Sequence, residues 1–187
     1  MQATGHARRL LGTFHVVTYG VLIRPEEQSD HAAVHALNTT AFESAAEANL
    51  VDALRERAQP VVSLVAEHEQ KIIGHIMFSP VSLTGHPGLK IMGLAPMAVA
   101  PEHQRRGVGY ALVRAGLEHC ERLGFGAVVV LGHAEYYPRF GFVPSTRFGI
   151  TSEYNAPEEA FMAMELHPGY LHQKAGTIRY HVAFADV

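Results

Sequence analysis

Residues 97–113 read MAVAPEHQRRGVGYALV. They run from an apolar, strand-like stretch through a basic turn punctuated by glycine into an amphipathic helix. The first N–H groups of a helix have no partner within it and carry the positive end of its dipole, so this junction suits a pyrophosphate. Gly107 and Gly109 let the backbone come close to the phosphate oxygens and reach positive φ without strain. The main-chain amides from Gln104 to Tyr110, Val108 included, are expected to converge on the anion, with Arg105 and Arg106 adding positive charge. The turn does not read G-x-G-x-x-G and lacks the Gly-Lys-Ser/Thr ending of a P-loop, so neither a dinucleotide fold nor a nucleotide triphosphatase fits it.

Outward from that junction the chain alternates cleanly. Periodicity and turn residues predict a strand over 21–25, a helix from Ser29 or Asp30 to Phe42, and a second helix over 46–58 that ends before Pro60. Strands follow over 61–67 and 71–83 as a hairpin turning at His68-Glu69-Gln70, then a loop over 84–90 and a strand over 91–99. Beyond the turn come a helix over 107–123, a buried strand over 127–132, a helical turn in YYPRFGF (136–142) halted by Gly141, and a closing strand over 176–184. Pro96 lies inside the apolar run IMGLAPMAVA. A residue without an N–H belongs in a paired strand only at a bulge or an unpaired edge, and one of these is expected there.

Composition bounds the rest. The 187 residues, 48% hydrophobic, suffice for one α/β domain over 20–187 preceded by a flexible tail over 1–19. Arg8 and Arg9 before a short apolar stretch imitate a signal peptide, but Thr13 and His15 interrupt it and no small-residue cleavage site follows. A net charge of −3 with mixed signs speaks against a general nucleic-acid or membrane-surface binder. One cysteine, Cys120, allows no internal disulfide, and no apolar run is long enough to span a bilayer, so a cytoplasmic protein is expected. Cys120 falls at helical spacing with Val113 and Leu117 and reads as a core residue. The 13 histidines show no metal-ligand spacing, and Ser79 and Ser82 lack a nucleophile elbow.

Gln104-x-x-Gly107-x-Gly109 after a strand resembles the acyl-CoA loop of the GNAT N-acetyltransferase superfamily. YYPRFGF is similar to that family's Tyr-x-x-x-Gly-Phe segment, the order of elements over 21–184 matches its succession, and GTIRYHVAF (176–184) looks like the closing strand of a bacterial branch of single-domain acetyltransferases. The resemblance implies an α/β (α+β) fold with a mixed, mainly antiparallel central sheet flanked by helices. Its fourth and fifth strands, 91–99 and 127–132 here, would splay apart. The implied co-substrate is acetyl-CoA, with no metal. The backbone of Met97, Ala98 and Val99 would hold the pantetheine arm, and Leu131, Gly132 and His133 would line its other side.

The implied reaction is direct attack of an amine, from a small molecule or a protein, on the thioester. A main-chain N–H near Ala98 would polarise the carbonyl and Tyr137 would protonate the departing thiolate, with Tyr136 able to exchange roles with it. Residues 91–100 contain no acid, which departs from the many family members with a glutamate on this strand. Glu43, Glu47, His75, His86 and His133 are candidate bases. His133 comes first by position, and a water chain is an equally acceptable route. Phe42, Glu43 and Glu47 at the helix junction and Tyr154 in the loop 144–159 would wall the acceptor cleft. A monomer or homodimer is expected, and a non-catalytic CoA-binding module is the alternative.

Overall fold

A computed structural model describes residues 16–18 and 20–186. Strands β1 (Val16–Thr18), β2 (Val21–Pro25), β3 (Val62–His68), β4 (Lys71–Leu83), β5 (Ile91–Val99) and β6 (Ala127–Leu131) lie side by side in chain order. Next to β6 comes β9 (Phe161–Glu165), then β7 (Val143–Pro144), while β10 (Gly176–Arg179) pairs with both the far end of β4 and β8 (Ile150–Ser152). Among these pairs only β5 with β6 and β8 with β10 are parallel. The expected mixed, mainly antiparallel sheet flanked by helices is what forms.

Alternation along the strands divides the core into two layers. On one face Ile76 and Phe78 of β4 meet Leu112, Val113 and Leu117 of helix α3 (Val108–Arg122). That helix sits so close that a Cβ on Gly116 would lie 2.2 Å from the Phe78 ring. On the other face Val65 and Met77 meet Val34 of α1 (His31–Phe42) and Leu50, Val51 and Leu54 of α2 (Ala46–Arg57). Cys120 is fully buried among the first set, and burial pushes its thiol up to about 12, as a core residue and not a thiolate requires.

Pro96 lies in a bulge, one of the two expected settings. Ile76 pairs with Met97 and Phe78 with Leu94, so Ala95 and Pro96 together stand opposite Met77. At the same place β5 parts from β6. Their ladder covers Ile91–Leu94 against Ala127–Val130 and stops, although β5 runs on to Val99. This is the fork that a splayed pair of strands implies.

Two local expectations need correction. Residues 16–18, placed in the tail, pair with β2 as β1, and the rest of the segment 1–19 lies outside the described residues. The closing strand is shorter than 176–184: it ends at Arg179, and Val182–Asp186 forms a 3₁₀ turn that packs Ala183 and Phe184 against α2. The apolar residues there serve a helix contact, which alternation alone could not separate from a strand face. Phe78 is fully buried between sheet and α3, so Phe78→Ala should lower the unfolding free energy by about 3–5 kcal/mol, measured by urea denaturation.

Candidate active site

The fork opens directly onto the N-terminus of α3. Gly107 caps that helix at φ 85°, and the first intrahelical bond runs from Ala111 N–H to Gly107 C=O (3.0 Å). The amides of Val108, Gly109 and Tyr110 precede that bond and have no partner within the helix. Arg105 also takes a positive φ of 59°, so the chain between β5 and α3 makes two left-handed turns within three residues. Both arginines are exposed. The Gln104 side chain reaches back and donates to Val99 C=O (3.1 Å), tying the loop to the end of β5.

Along β5 the amides point alternately to its two neighbours. Ala98 stands opposite His75 on β4, and two residues on Ala100 N–H donates to Ile73 C=O of β4 (2.9 Å), so the Ala98 amide faces β4 as well. Of the three β5 residues expected to hold the arm, Ala98 thus turns its main-chain groups to β4. It is Met97 and Val99 whose N–H and C=O groups face the side that β6 has left, and Gln104 meets Val99 C=O on that side.

The turn after β6 closes the fork from above. His133 C=O accepts the Tyr136 N–H (3.0 Å), which starts a 3₁₀ turn over Tyr137–Phe140 that Gly141 ends at φ 103°. Tyr137 is buried against β6, where a Cβ on Gly132 would lie 2.5 Å from its ring, and it meets the Phe142 ring edge-on at 5.7 Å. Tyr136 leans instead on α3: a Cβ on Gly109 would come within 2.9 Å of its hydroxyl, and Arg139 lies 4.6 Å from its ring centre. The sequence left these two tyrosines interchangeable. The structure separates them, with Tyr136 at the helix N-terminus and Tyr137 at the fork. Burial raises both phenols, Tyr137 the more strongly, so each stays protonated and able to donate.

Phe42, Tyr110, Leu131 and Tyr154 are between 37% and 47% exposed, although large apolar side chains normally seek the core. All four are among the residues that the sequence reading assigns to cofactor or acceptor. Glu43 ends α1 in a left-handed conformation (φ 55°), and Glu47, in the first turn of α2, accepts from Ser44 Oγ (3.0 Å). His133 is exposed at the end of β6, and His86, in the loop before β5, donates its Nε2–H to Ala175 C=O (3.2 Å).

His75 is fully buried and both its ring nitrogens are engaged. Asn38 Nδ2 donates to Val34 C=O (2.9 Å) and to His75 Nδ1 (3.2 Å), leaving His75 Nε2–H to donate to Ser63 Oγ (3.0 Å). Ser63 in turn donates to Glu26 (2.6 Å), which Arg55 pairs at 2.6 Å. This network joins α1, α2, β3 and β4. Nothing in the sequence announces it, because its members lie far apart in the chain. Burial lowers the His75 imidazole to about 4, so it holds a structure together in its neutral form and is no base for the site.

A profile of the Acetyltransferase (GNAT) family matches residues 18–142. The chain belongs to the GNAT acetyltransferase family. The uncharacterized N-acetyltransferase YjhQ of Escherichia coli (strain K12) is 41% identical over 151 residues, covering 79% of this chain and 78% of that protein. Uncharacterized N-acetyltransferase YhbS of the same strain is 36% identical over 165 residues, covering 88% of this chain and 98% of that one. Among solved structures, the E. coli GNAT family N-acetyltransferase YhbS in complex with CoA superposes with a TM-score of 0.84 at 34% identity, covering 90% of this chain and 94% of that chain. A GNAT family acetyltransferase from Brucella melitensis in complex with acetyl-CoA gives 0.73 at 32% identity, covering 89% and 99%. The forked sheet and the glycine-capped helix are thus this GNAT chain's version of a shared architecture.

The His75 imidazole sits below its ordinary 6.5, so its neutral form is favoured by folding. That contribution, about 3 kcal/mol, is complete above pH 6.5 and disappears as pH falls towards 4. Urea unfolding across that window should show the loss, and His75→Gln should flatten the slope there.

Proposed function

We propose that this protein is an acetyl-CoA N-acetyltransferase that delivers the acetyl group to a primary amine of a small molecule or protein by direct attack. The observation that carries the reading is the continuity of two anchoring surfaces: the Met97 and Val99 main-chain groups that face the fork, and the unpartnered amides of Val108, Gly109 and Tyr110 a few residues on. An extended pantetheine arm satisfies the first as an added strand would, and a diphosphate satisfies the second. The family membership and the CoA and acetyl-CoA held by the two related structures support the same ligand here.

Each step then has a group to perform it. The Met97 or Val99 N–H, fixed in the sheet, receives the thioester oxygen as it gains charge, while Gln104, Arg105 and Arg106 flank the diphosphate. Tyr137, kept protonated by burial at the fork, donates to the departing CoA sulfur. His133, exposed at the end of β6, takes the amine proton directly or through water. Phe42, Glu43, Glu47 and Tyr154 bound the acceptor, and the sheet from β1 onward with its helices acts as one domain in the cytoplasm, as monomer or homodimer. Among the described residues no helix is long and apolar enough to cross a membrane.

The absence of an acid on β5 favours a second reading, a CoA-binding module without turnover. Thermal unfolding with CoA and acetyl-CoA, followed by thiol release over a panel of amines, separates the two. Binding should raise the melting temperature in the wild type and not in Gly107→Val, whose side chain cannot take the left-handed cap. Tyr137→Phe should keep the CoA shift and lose about 10²-fold in kcat. A CoA shift with no amine-dependent thiol release would leave only the module.

A further inference from the structure

The C-terminal segment brings one more hydroxyl to the sheet where β5 and β6 are about to part. Tyr180 follows β10, and one edge of its ring lies beside Gly93 of β5, where an added Cβ would meet Val81 Cγ1 at 2.9 Å and Tyr180 Cε1 at 3.2 Å. Gly93 is one residue before Leu94, the last β5 residue paired with β6. Ala95, the first residue of the bulge, packs in the same cluster as Tyr180, and the Tyr154 ring stands 5.4 Å away. Glu153 fixes this arrangement, accepting the Tyr180 N–H (2.6 Å) and an Arg179 guanidinium N–H (3.1 Å). Among the described residues the buried Tyr180 hydroxyl has no hydrogen-bond partner, and neither has that of Ser79, the residue directly across from Gly93 on β4. Opposed residues of an antiparallel pair share a face, so both hydroxyls lie on the α1–α2 side of the sheet. A buried unpartnered hydroxyl is costly, and two beside one glycine call for a ligand.

We propose that Tyr180 is a substrate-contacting residue whose hydroxyl accepts an N–H of the acceptor amine and aims its lone pair at the thioester. This rests on the acetyltransferase reading above. The CoA loop belongs to α3, and Met97 beside Gly109 turns to that same face. The donor therefore reaches the fork from the α3 side, and the acceptor has the opposite side, where Tyr180 and Tyr154 stand. Burial also raises the Tyr180 phenol, so it remains a neutral hydroxyl that can accept from the amine without binding its proton. The amine nitrogen bonds to the acyl carbon, the C–S bond breaks, the thiolate takes its proton from Tyr137, and the proton lost by nitrogen passes to His133 or water. Tyr180 holds the nucleophile and changes no protonation state.

Tyr180→Phe removes only the oxygen, and since that oxygen has no partner in the fold the variant should melt no lower than wild type. Its CoA-induced thermal shift and its KM for acetyl-CoA should stay within about twofold, while kcat/KM for the best amine of the panel falls by about tenfold or more. Slow hydrolysis of acetyl-CoA, in which water takes the amine's place, reads the same step without an acceptor and should fall in parallel. Amine transfer and hydrolysis both within twofold of wild type would overturn the proposal. So would a lowered melting temperature with proportionate loss of CoA binding, which would make the hydroxyl structural. Wild-type protein that shows no CoA shift would refute the acetyltransferase reading itself, a result distinct from either.

Discussion

The parting of β5 from β6 after Leu94 is the constraint on which the site depends. A proline has no N–H to give a ladder, so Pro96 shares a bulge with Ala95 opposite Met77, and beyond it β5 keeps only β4 as a partner. Backbone groups that a closed sheet would have paired are left facing a gap. Unpaired strand edges are hazards in most proteins. Here the edge is short, lies inside the sheet, and is covered from above by the aromatic turn Tyr136–Phe140, so it is reachable by a slender chain and not by another sheet.

The two faces of that fork are built differently. On the α3 side, glycine and aromatic residues alternate: Tyr136 fills the space that Gly109 leaves, Tyr137 the space left by Gly132, and Tyr110 stacks on Phe140. Rings seated in glycine-sized hollows leave these walls little room to shift. On the α1–α2 side the elements are joined by a polar network from Asn38 through His75, Ser63 and Glu26 to Arg55, and the surface beyond it, with Phe42 and Tyr154, is open. Hydrogen bonds specify how α1 and α2 sit on the sheet where apolar packing alone would tolerate sliding. That network fixes how α1 and α2 stand against β3 and β4.

What the sequence disclosed, and what it hid, follows from the range of the interactions. The Gln104–Gly109 turn and the Gly141 stop are local: they depend on glycine dihedrals and helix ends, and both are legible residue by residue. Pro96 announced its bulge because a missing N–H has only a few permissible surroundings. Which amides near Ala98 face the fork is not legible in the sequence, because the parity of a strand is set by its register with β4, which the sequence of β5 does not contain. His75 looked like one of many candidate bases because nothing near it in the chain reveals Asn38 and Ser63. Tyr180 was read as part of a strand, since an alternating apolar pattern describes GTIRYHVAF equally well when its last residues turn onto a helix. Its packing depends on a glycine 87 positions earlier in the chain.

The central claim is that the main chain of β5 and of the α3 N-terminus forms one continuous cradle for a CoA thioester. Titration of uniformly ¹⁵N-labelled protein with CoA, followed by amide chemical shifts, tests it most directly. The account predicts that the largest shifts fall on Met97, Val99 and Gly107–Tyr110, with Ala98 and the β3 amides nearly still. Shifts confined to other elements, or none at saturating CoA, would contradict it.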